Sequence, residues 1–411
     1  MDVPRCTVTS GARKFNAADL AGLKYFRPIQ NLLQEVHNLH AHPNRLLHYD
    51  EYAALLLLYF FNPIAASLRD LQKISDLKAV ARQLGVRRAS LGSLSEASHL
   101  FDPEPLRAIF LELADQAAVL NGPARPIGVP EDLAIIAADG TLLDALPKMV
   151  WAMWMGPHDK AVKVHLQFDI LRGAPVDMEL TDGNGSETEV LKNHLAANRL
   201  YVIDRGYFNY GLYRNILEAK SSFVARLRGN ADCQVVESRP VSAEAKAAGV
   251  EADDIVWLGG EQTRSRPAQQ LRRVKVHVKN LPQHGLKPRM ARVSRKVKSV
   301  RVSAEEFDLW LITDRTDLSP EVIALLYQYR WQIEIFFRWL KCTLGCRHLL
   351  AESENGIRLQ MYAALIASLL IILWTGRKPN KTTLLMLNCY FQGWADLDEL
   401  KASIAKLKPL G

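Results

Sequence analysis

Cysteine is scarce in this 411-residue chain, which has five: Cys6, Cys233, Cys342, Cys346 and Cys389. So odd and scattered a set makes no disulfide framework, and nothing at the amino end has the pattern of a signal peptide, so a reducing cytoplasm is the expected compartment. Cys342, Cys346 and His348 crowd together, but with no second pair of ligands nearby they read as buried thiols rather than a zinc site. Long apolar runs are also lacking. The most apolar stretch, MYAALIASLLIILW at residues 361–374, falls short of the roughly 20 residues that span a bilayer; it reads as a buried helix, with no membrane partner expected. The third absence is of acid: residues 264–301 contain no Asp or Glu.

The overall charge is less decisive. Fifty-two Lys and Arg against 44 Asp and Glu leave a formal charge of +8, which suits a polyanionic partner and equally a protein that binds none. Within the acid-free stretch, RRVKVHVKN and RKVKSVRV alternate as strands with one cationic face do. Such strands either contact nucleic acid or are solvated edges protected by charge.

A chain of this length with 48% hydrophobic content predicts two or three globular domains. Residues 1–128 read as a helical amino-terminal domain. Within it, DLKAVARQLGVRRASLGSLSEASHL has the outline of a helix-turn-helix around Gly85, with Arg87 and Arg88 in the turn, although two ordinary packed helices fit the same residues. After a linker, LAIIAAD, MVWAMWM, AVKVHLQFDIL and LYVID predict strands of a mixed sheet. Before the last of them, Ser186 and Glu189 have the spacing of a capping box that opens a crossover helix. Residues 221–304 form a basic, β-rich segment, and helical character returns from Ser319 to the carboxyl end, with 376–411 a final helical segment.

Two of the predicted strands end in aspartate: LAIIAADGT in Asp139 and RLYVIDRGYF in Asp204, each with a glycine close behind. An ionised carboxylate at the end of a buried strand is costly to desolvate unless something positive lies beside it. One such residue is commonly a turn former; two in one sheet point to a site. A third carboxylate stands in YQYRWQIEIFFRWLK. At about 100° per residue, Tyr327, Arg330, Glu334 and Lys341 fall within a fan of roughly 60° on one continuous helix, with Arg338 beside them. The stripe faces either a cleft or solvent, where i,i+4 pairs would hold it. Two strand carboxylates and one helix carboxylate are the oxygen ligands that a pair of hard divalent cations takes, and Arg330, Lys341 and Tyr327 are suited to backbone phosphates.

The order Asp139, Asp204, Glu334 resembles the carboxylate triad of DDE transposases with a ribonuclease H-like fold. The spacing Tyr327-x2-Arg330-x3-Glu334-x6-Lys341 resembles the YREK signature of the insertion-sequence IS-four family, and the DGT and DRGY blocks at the two aspartates resemble that family's as well. The resemblance implies an α/β fold: a ribonuclease H-like mixed sheet with helices (residues 129–220 and 305–375), interrupted by a mostly β insertion (221–304) and preceded by a helical DNA-binding domain. It implies that Asp139, Asp204 and Glu334 are catalytic and hold two divalent cations, Mg2+ with Mn2+ able to substitute. It further implies that Tyr327, Arg330 and Lys341 contact transposon-end phosphates and that Trp310, in DLWLITD, holds a flipped base. A core position in a strand is the other reading of Trp310.

The expected activity is DNA cleavage at transposon ends and strand transfer into target DNA, of cut-and-paste type. The expected partners are terminal inverted repeats, target DNA and a second copy of the chain, in a nucleoid-associated cytoplasmic setting. A DNA-binding regulator without transposition activity and a metal-dependent nuclease without strand transfer are the alternatives.

Overall fold

The computed structural model describes residues 47–62, 65–118, 125–278 and 307–406, apart from 127, 147, 155, 261, 379 and 392–393. The chain forms two compact units. Unit one comprises Met1–Ala124, Gly140–Gly185 and Gln332–Gly411; unit two comprises Arg125–Asp139 and Ser186–Trp331.

Unit one opens with helices α1 (Tyr49–Phe61), α2 (Leu68–Ser75), α3 (Lys78–Leu84), α4 (Leu91–Leu100) and α5 (Glu104–Ala118). The sequence of α1, YDEYAALLLLYFF, is apolar on every side, and the helix is buried almost throughout. Its one buried carboxylate, Glu51, is paid for by partners: it accepts from the His48 amide at 2.7 Å and from the amide and Nε of Arg87 at 3.1 and 2.9 Å. Burial alone would raise the Glu51 carboxyl, but these donors hold it below its usual value. The predicted helix-turn-helix residues form α3 and α4, with Gly85 at a left-handed φ of 68° ending the first and the Ser90 hydroxyl capping the second. Both turn arginines are paired with acids, Arg87 with Glu51 and Arg88 with Asp76.

The apolar segment at 361–374 lies in the 22-residue helix α11 (Glu354–Thr375). It is longer than the expected apolar run and by length and composition alone could cross a membrane, yet 89% of its most apolar window is buried inside the protein. It packs on α1, α4 and α5, with the rings of Phe110 and Tyr362 6.0 Å apart. Asn355 fixes its start by donating to the carbonyls of Ser98 and Phe101. A Cβ on Gly356 would come within 2.5 Å of the Ala351 Cβ and 2.8 Å of the Ser98 Cβ. Gly356→Ala would therefore overpack this contact by about 1–3 kcal/mol, more than the roughly 1 kcal/mol gained in helix propensity. A lower thermal midpoint is expected in a calorimetric scan.

The strands of unit one differ from the sequence expectation. Among the described residues of MVWAMWM, strand is confined to Met153–Trp154 (β2); the residues before it make turns, and the Trp151 indole donates to Glu352 O at 2.9 Å. The long β3 (Gly156–Asp169) instead pairs antiparallel with β4 (Ala174–Asp182) through a turn at Gly173, φ 64°. β4 lies in APVDMELTD, where Met178 and Leu180 are buried and their neighbours Asp177, Glu179 and Thr181 are less so.

β1 (Ala134–Asp144) is common to both units, with β3 as its neighbour in unit one and β5 (Arg199–Ile203) in unit two. In unit two β1 pairs parallel with β5, and β5 pairs parallel with β6 (Ser222–Arg226). The crossovers carry α6 (Glu187–Asn193) and α7 (Tyr210–Glu218). Ser186 caps α6 by accepting from the Glu189 amide, as its spacing predicts. The middles of these strands (Ile135–Ala138, Leu200–Ile203, Phe223–Ala225) are buried without alternation, as a sheet covered on both faces requires. Unit one thus carries β4-β3-β1 and unit two the parallel β1-β5-β6, each part of a mixed α/β arrangement of the class expected.

The sheet of unit two continues antiparallel through β10 (Phe307–Thr313), β9 (Leu271–Val278), β8 (Val250–Leu258) and β7 (Cys233–Arg239), with α8 (Ala243–Ala247) between β7 and β8. RRVKVHVKN supplies β9, while RKVKSVRV lies outside the described residues. Between β8 and β9, Arg272 makes two 2.7 Å bonds to the Asp253 carboxylate, both side chains about 4% exposed, and also donates to Leu318 O.

Candidate active site

The two aspartates are brought together by strand register. Ala137 lies opposite Val202 in the last pair of the parallel ladder between β1 and β5, so Asp139 and Asp204, each two residues further on, leave that ladder on adjacent strands. Their local settings differ. Asp204 follows β5 as expected and caps the 3-10 turn Arg205–Tyr207, accepting from the Gly206 amide at 2.7 Å. Asp139, expected at a strand end, lies inside β1, which runs on to Asp144. Gly140 does not turn the chain there, and the β-forming TLL that follows stays extended. What changes at Asp139 is burial, which falls after Ala138. The positive charge that a sheltered carboxylate needs is Arg330, whose guanidinium lies 3.8 Å from Asp139 Oδ2, with both side chains largely sheltered.

Two tyrosines report on the same neighbourhood. Tyr207 is 2% exposed. Burial pushes its phenol well above the ordinary value; the charges of Glu187, Asp139 and Asp204 push the same way, and Arg330 opposes them. Tyr327, on α9 (Pro320–Tyr329), is raised mainly by burial, with Arg330 and Arg226 opposing and Asp204 adding to the rise. Its ring lies under the Arg330 guanidinium at 5.8 Å. Unit two therefore gathers Asp139, Asp204, Tyr327 and Arg330, together with Glu187 and Arg226, which no sequence motif singled out. Arg226 and Arg228 also line a cavity of about 580 Å³ with Asp204, Arg205, Gly206 and Asn230. The alternation of the two arginines along FVARLRG was the available signal.

The signature residues do not lie on one continuous helix. α9 ends at Tyr329, Arg330 makes a turn while keeping right-handed helical dihedrals, and α10 runs Trp331–Arg338. A π-helical turn, Trp339–Thr343, follows, closed by the bond from the Leu344 amide to Trp339 O. The wider turn moves Lys341 off the position that a 3.6-residue repeat assigns it. Lys341 donates to Thr141 Oγ1 at 2.6 Å and to Leu142 O at 3.0 Å, in unit one. Glu334 is half-buried on α10, also in unit one. Ile333, Phe336, Phe337, Trp339 and Leu340 are buried, but Ile335 and Arg338 are exposed, so the apolar circumference is only partly core.

Trp310, on β10, is partly exposed, with the Arg273 guanidinium 4.2 Å from its ring centroid; Arg273 is held by Asp254 at 2.7 Å. On the same sheet Glu251, His277 and Asp308 bring carboxylate and imidazole atoms within 4.8 Å of one another. The Lys275 ammonium already bridges that cluster, 2.5 Å from Glu251 and 2.8 Å from Asp308. It supplies the positive charge that a metal ion would bring. The aspartate pair suits a cation better: its donors are hard carboxylate oxygens, and one of them, Asp204, borders an open cavity. Cys342 is exposed and Cys346 buried, where burial raises its thiol far above the ordinary value.

The chain matches the family described as "Transposase DDE domain" over residues 130–370. A Sinorhizobium fredii protein with the provisional designation transposase y4zB is 28% identical over 57% of this chain and 60% of its own length. A provisional transposase for insertion sequence element IS5377 from Geobacillus stearothermophilus is 26% identical over 67% of this chain and 66% of its own length. The chain thus spans less than two thirds of these curated relatives. A cryo-EM structure of a piggyBac transposase synaptic complex with hairpin DNA aligns with 95% of this chain and 78% of its own at TM-score 0.40 and 14% identity, too loose a likeness to carry weight.

Proposed function

The chain belongs to the transposase DDE domain family, and from that premise we propose that it is a DNA transposase that cleaves transposon ends and joins them to target DNA by divalent-metal-dependent phosphoryl transfer, of cut-and-paste type. The observation that carries the reading is the parallel register that sets Asp139 beside Asp204 with Arg330 3.8 Å from Asp139. Asp139, Asp204 and Glu334 would hold the ions, the triad expected of the IS-four family. When bound, two Mg2+ ions, or Mn2+ in their place, supply a polarised attacking oxygen and charge neutralisation at the leaving oxygen.

The remaining residues handle the DNA backbone. Arg330, Arg226 and Arg228 offer guanidinium forks to phosphates, and Tyr327 and Lys341 are assigned to end phosphates as the signature implies. Trp310 offers one ring face to an unstacked base, its other partner being Arg273. Residues 1–128 are assigned to end binding, the segment 221–304 is treated as an insertion in the catalytic domain, and 376–411 as an accessory segment. Two copies are expected on paired ends, in the nucleoid of the cytoplasm.

The test uses purified protein, Mg2+, and duplexes carrying the inverted repeats that flank its gene, with a supercoiled target. Cleaved and joined products are expected. Cleavage without joining would identify a nuclease, and binding without cleavage a regulator. Arg226→Ala and Arg228→Ala are each expected to weaken end binding and to lower the log K against log salt slope by about 1, as loss of one phosphate contact does. Fluorescence anisotropy across a salt series reads this.

A further inference from the structure

We propose that Glu187 is a fourth carboxylate of the cation site, acting beside Asp204; the inference rests on the divalent-cation reading above. Glu187 is the first residue of α6, which packs against the 3-10 turn Arg205–Tyr207. A Cβ built on Gly206 would lie 2.9 Å from Asp204 Oδ1 and 3.6 Å from Glu187 Oε2. The two carboxylate oxygens are thus no further apart than the sum of those distances, and they flank the same side of the glycine. Gly206 is what lets them approach: any side chain there would press on the Asp204 oxygen.

The phenol of Tyr207, the last residue of that turn, is raised chiefly by burial, with Glu187, Asp139 and Asp204 adding to the rise and Arg330 opposing it. Arg330 offsets part of the negative charge beside Asp139, and a divalent ion shared by the carboxylates would offset more. Mg2+ takes six oxygen ligands and keeps several waters. A carboxylate at this separation from Asp204 is placed to bind the ion or to accept hydrogen bonds from its water shell, and such outer partners affect affinity nearly as directly as the ligands themselves.

Mn2+ alone is the probe, titrated into full-length protein and followed by the electron paramagnetic resonance signal of the free ion. Glu187→Gln is expected to weaken Mn2+ binding by about tenfold, with the metal-free thermal midpoint unchanged. Glu187→Asp, which keeps the charge, should recover part of that loss. Asp204→Asn serves as the reference. If Asp204→Asn weakens Mn2+ binding and Glu187→Gln does not, Glu187 has no part in the site and the inference fails while the metal reading stands. If neither variant weakens it, the metal reading fails and takes the inference with it. Should Glu187→Gln prove unfolded, Glu187→Asp decides: wild-type affinity with its shortened side chain would overturn the assignment.

Discussion

Asp139→Ala and Asp204→Ala are each expected to lower end cleavage on the order of 10³-fold, the scale seen when one preorganised electrostatic partner of a reacting centre is removed. The strand register explains why either loss suffices. The pair is created by two parallel neighbours, so deleting one member leaves a lone carboxylate, which holds a divalent ion far less well than two. DNA binding should move in the opposite direction or hardly at all. Removing a negative charge beside Arg330, Arg226 and Arg228 frees those cations for phosphates. Single-turnover cleavage of labelled end duplex, paired with anisotropy on the same duplex, separates the two effects. Unchanged cleavage in either variant would sink the proposed mechanism. Glu334→Ala, at the proposed third ligand, is expected to behave likewise.

Arg272→Met should be the most damaging substitution for stability. Asp253 would remain in a nearly water-free position with neither of its 2.7 Å guanidinium bonds, and Leu318 O would lose its donor as well. Breaking a buried pair from one side costs about 3–5 kcal/mol. For a unit of this size that is a fall in thermal midpoint of roughly 10 °C. The double variant Arg272→Met with Asp253→Leu should recover most of it, since the desolvation cost of the stranded carboxylate disappears with the carboxylate. Calorimetry on both proteins checks this, and a double variant as unstable as the single one would mean that the cost lies elsewhere, in packing around β8 and β9.

Some of the structure follows from local chemistry and was legible residue by residue. The apolar run of α1, the Gly85 stop between α3 and α4, the Ser186 cap of α6 and the aspartate after β5 all depend on contacts within a few residues. Where legibility failed, the deciding contact was distant. MVWAMWM alternates like a strand, yet Trp151 bonds to Glu352, two hundred residues away, and the run mostly makes turns. β4 carries a weaker pattern, broken by Pro175 and three acids, but exists because β3 offers it a ladder. The helical wheel through Tyr327, Arg330, Glu334 and Lys341 assumed uniform 3.6-residue turns; the break at Arg330 and the π turn at Trp339–Thr343 changed it.

The sequence by itself determined which side chains carry chemistry: two aspartates after or within apolar strands, a spaced set of Tyr, Arg, Glu and Lys, and a long acid-free basic stretch. Residue type and spacing are written in the chain and need no fold to be read. Only the tertiary structure decided which of them meet. Asp139 and Asp204 are neighbours because parallel pairing is non-local and its register is set by burial across the whole sheet. Glu187, Arg226 and Arg228 join that neighbourhood through the helix and strand that carry them, with no motif of their own.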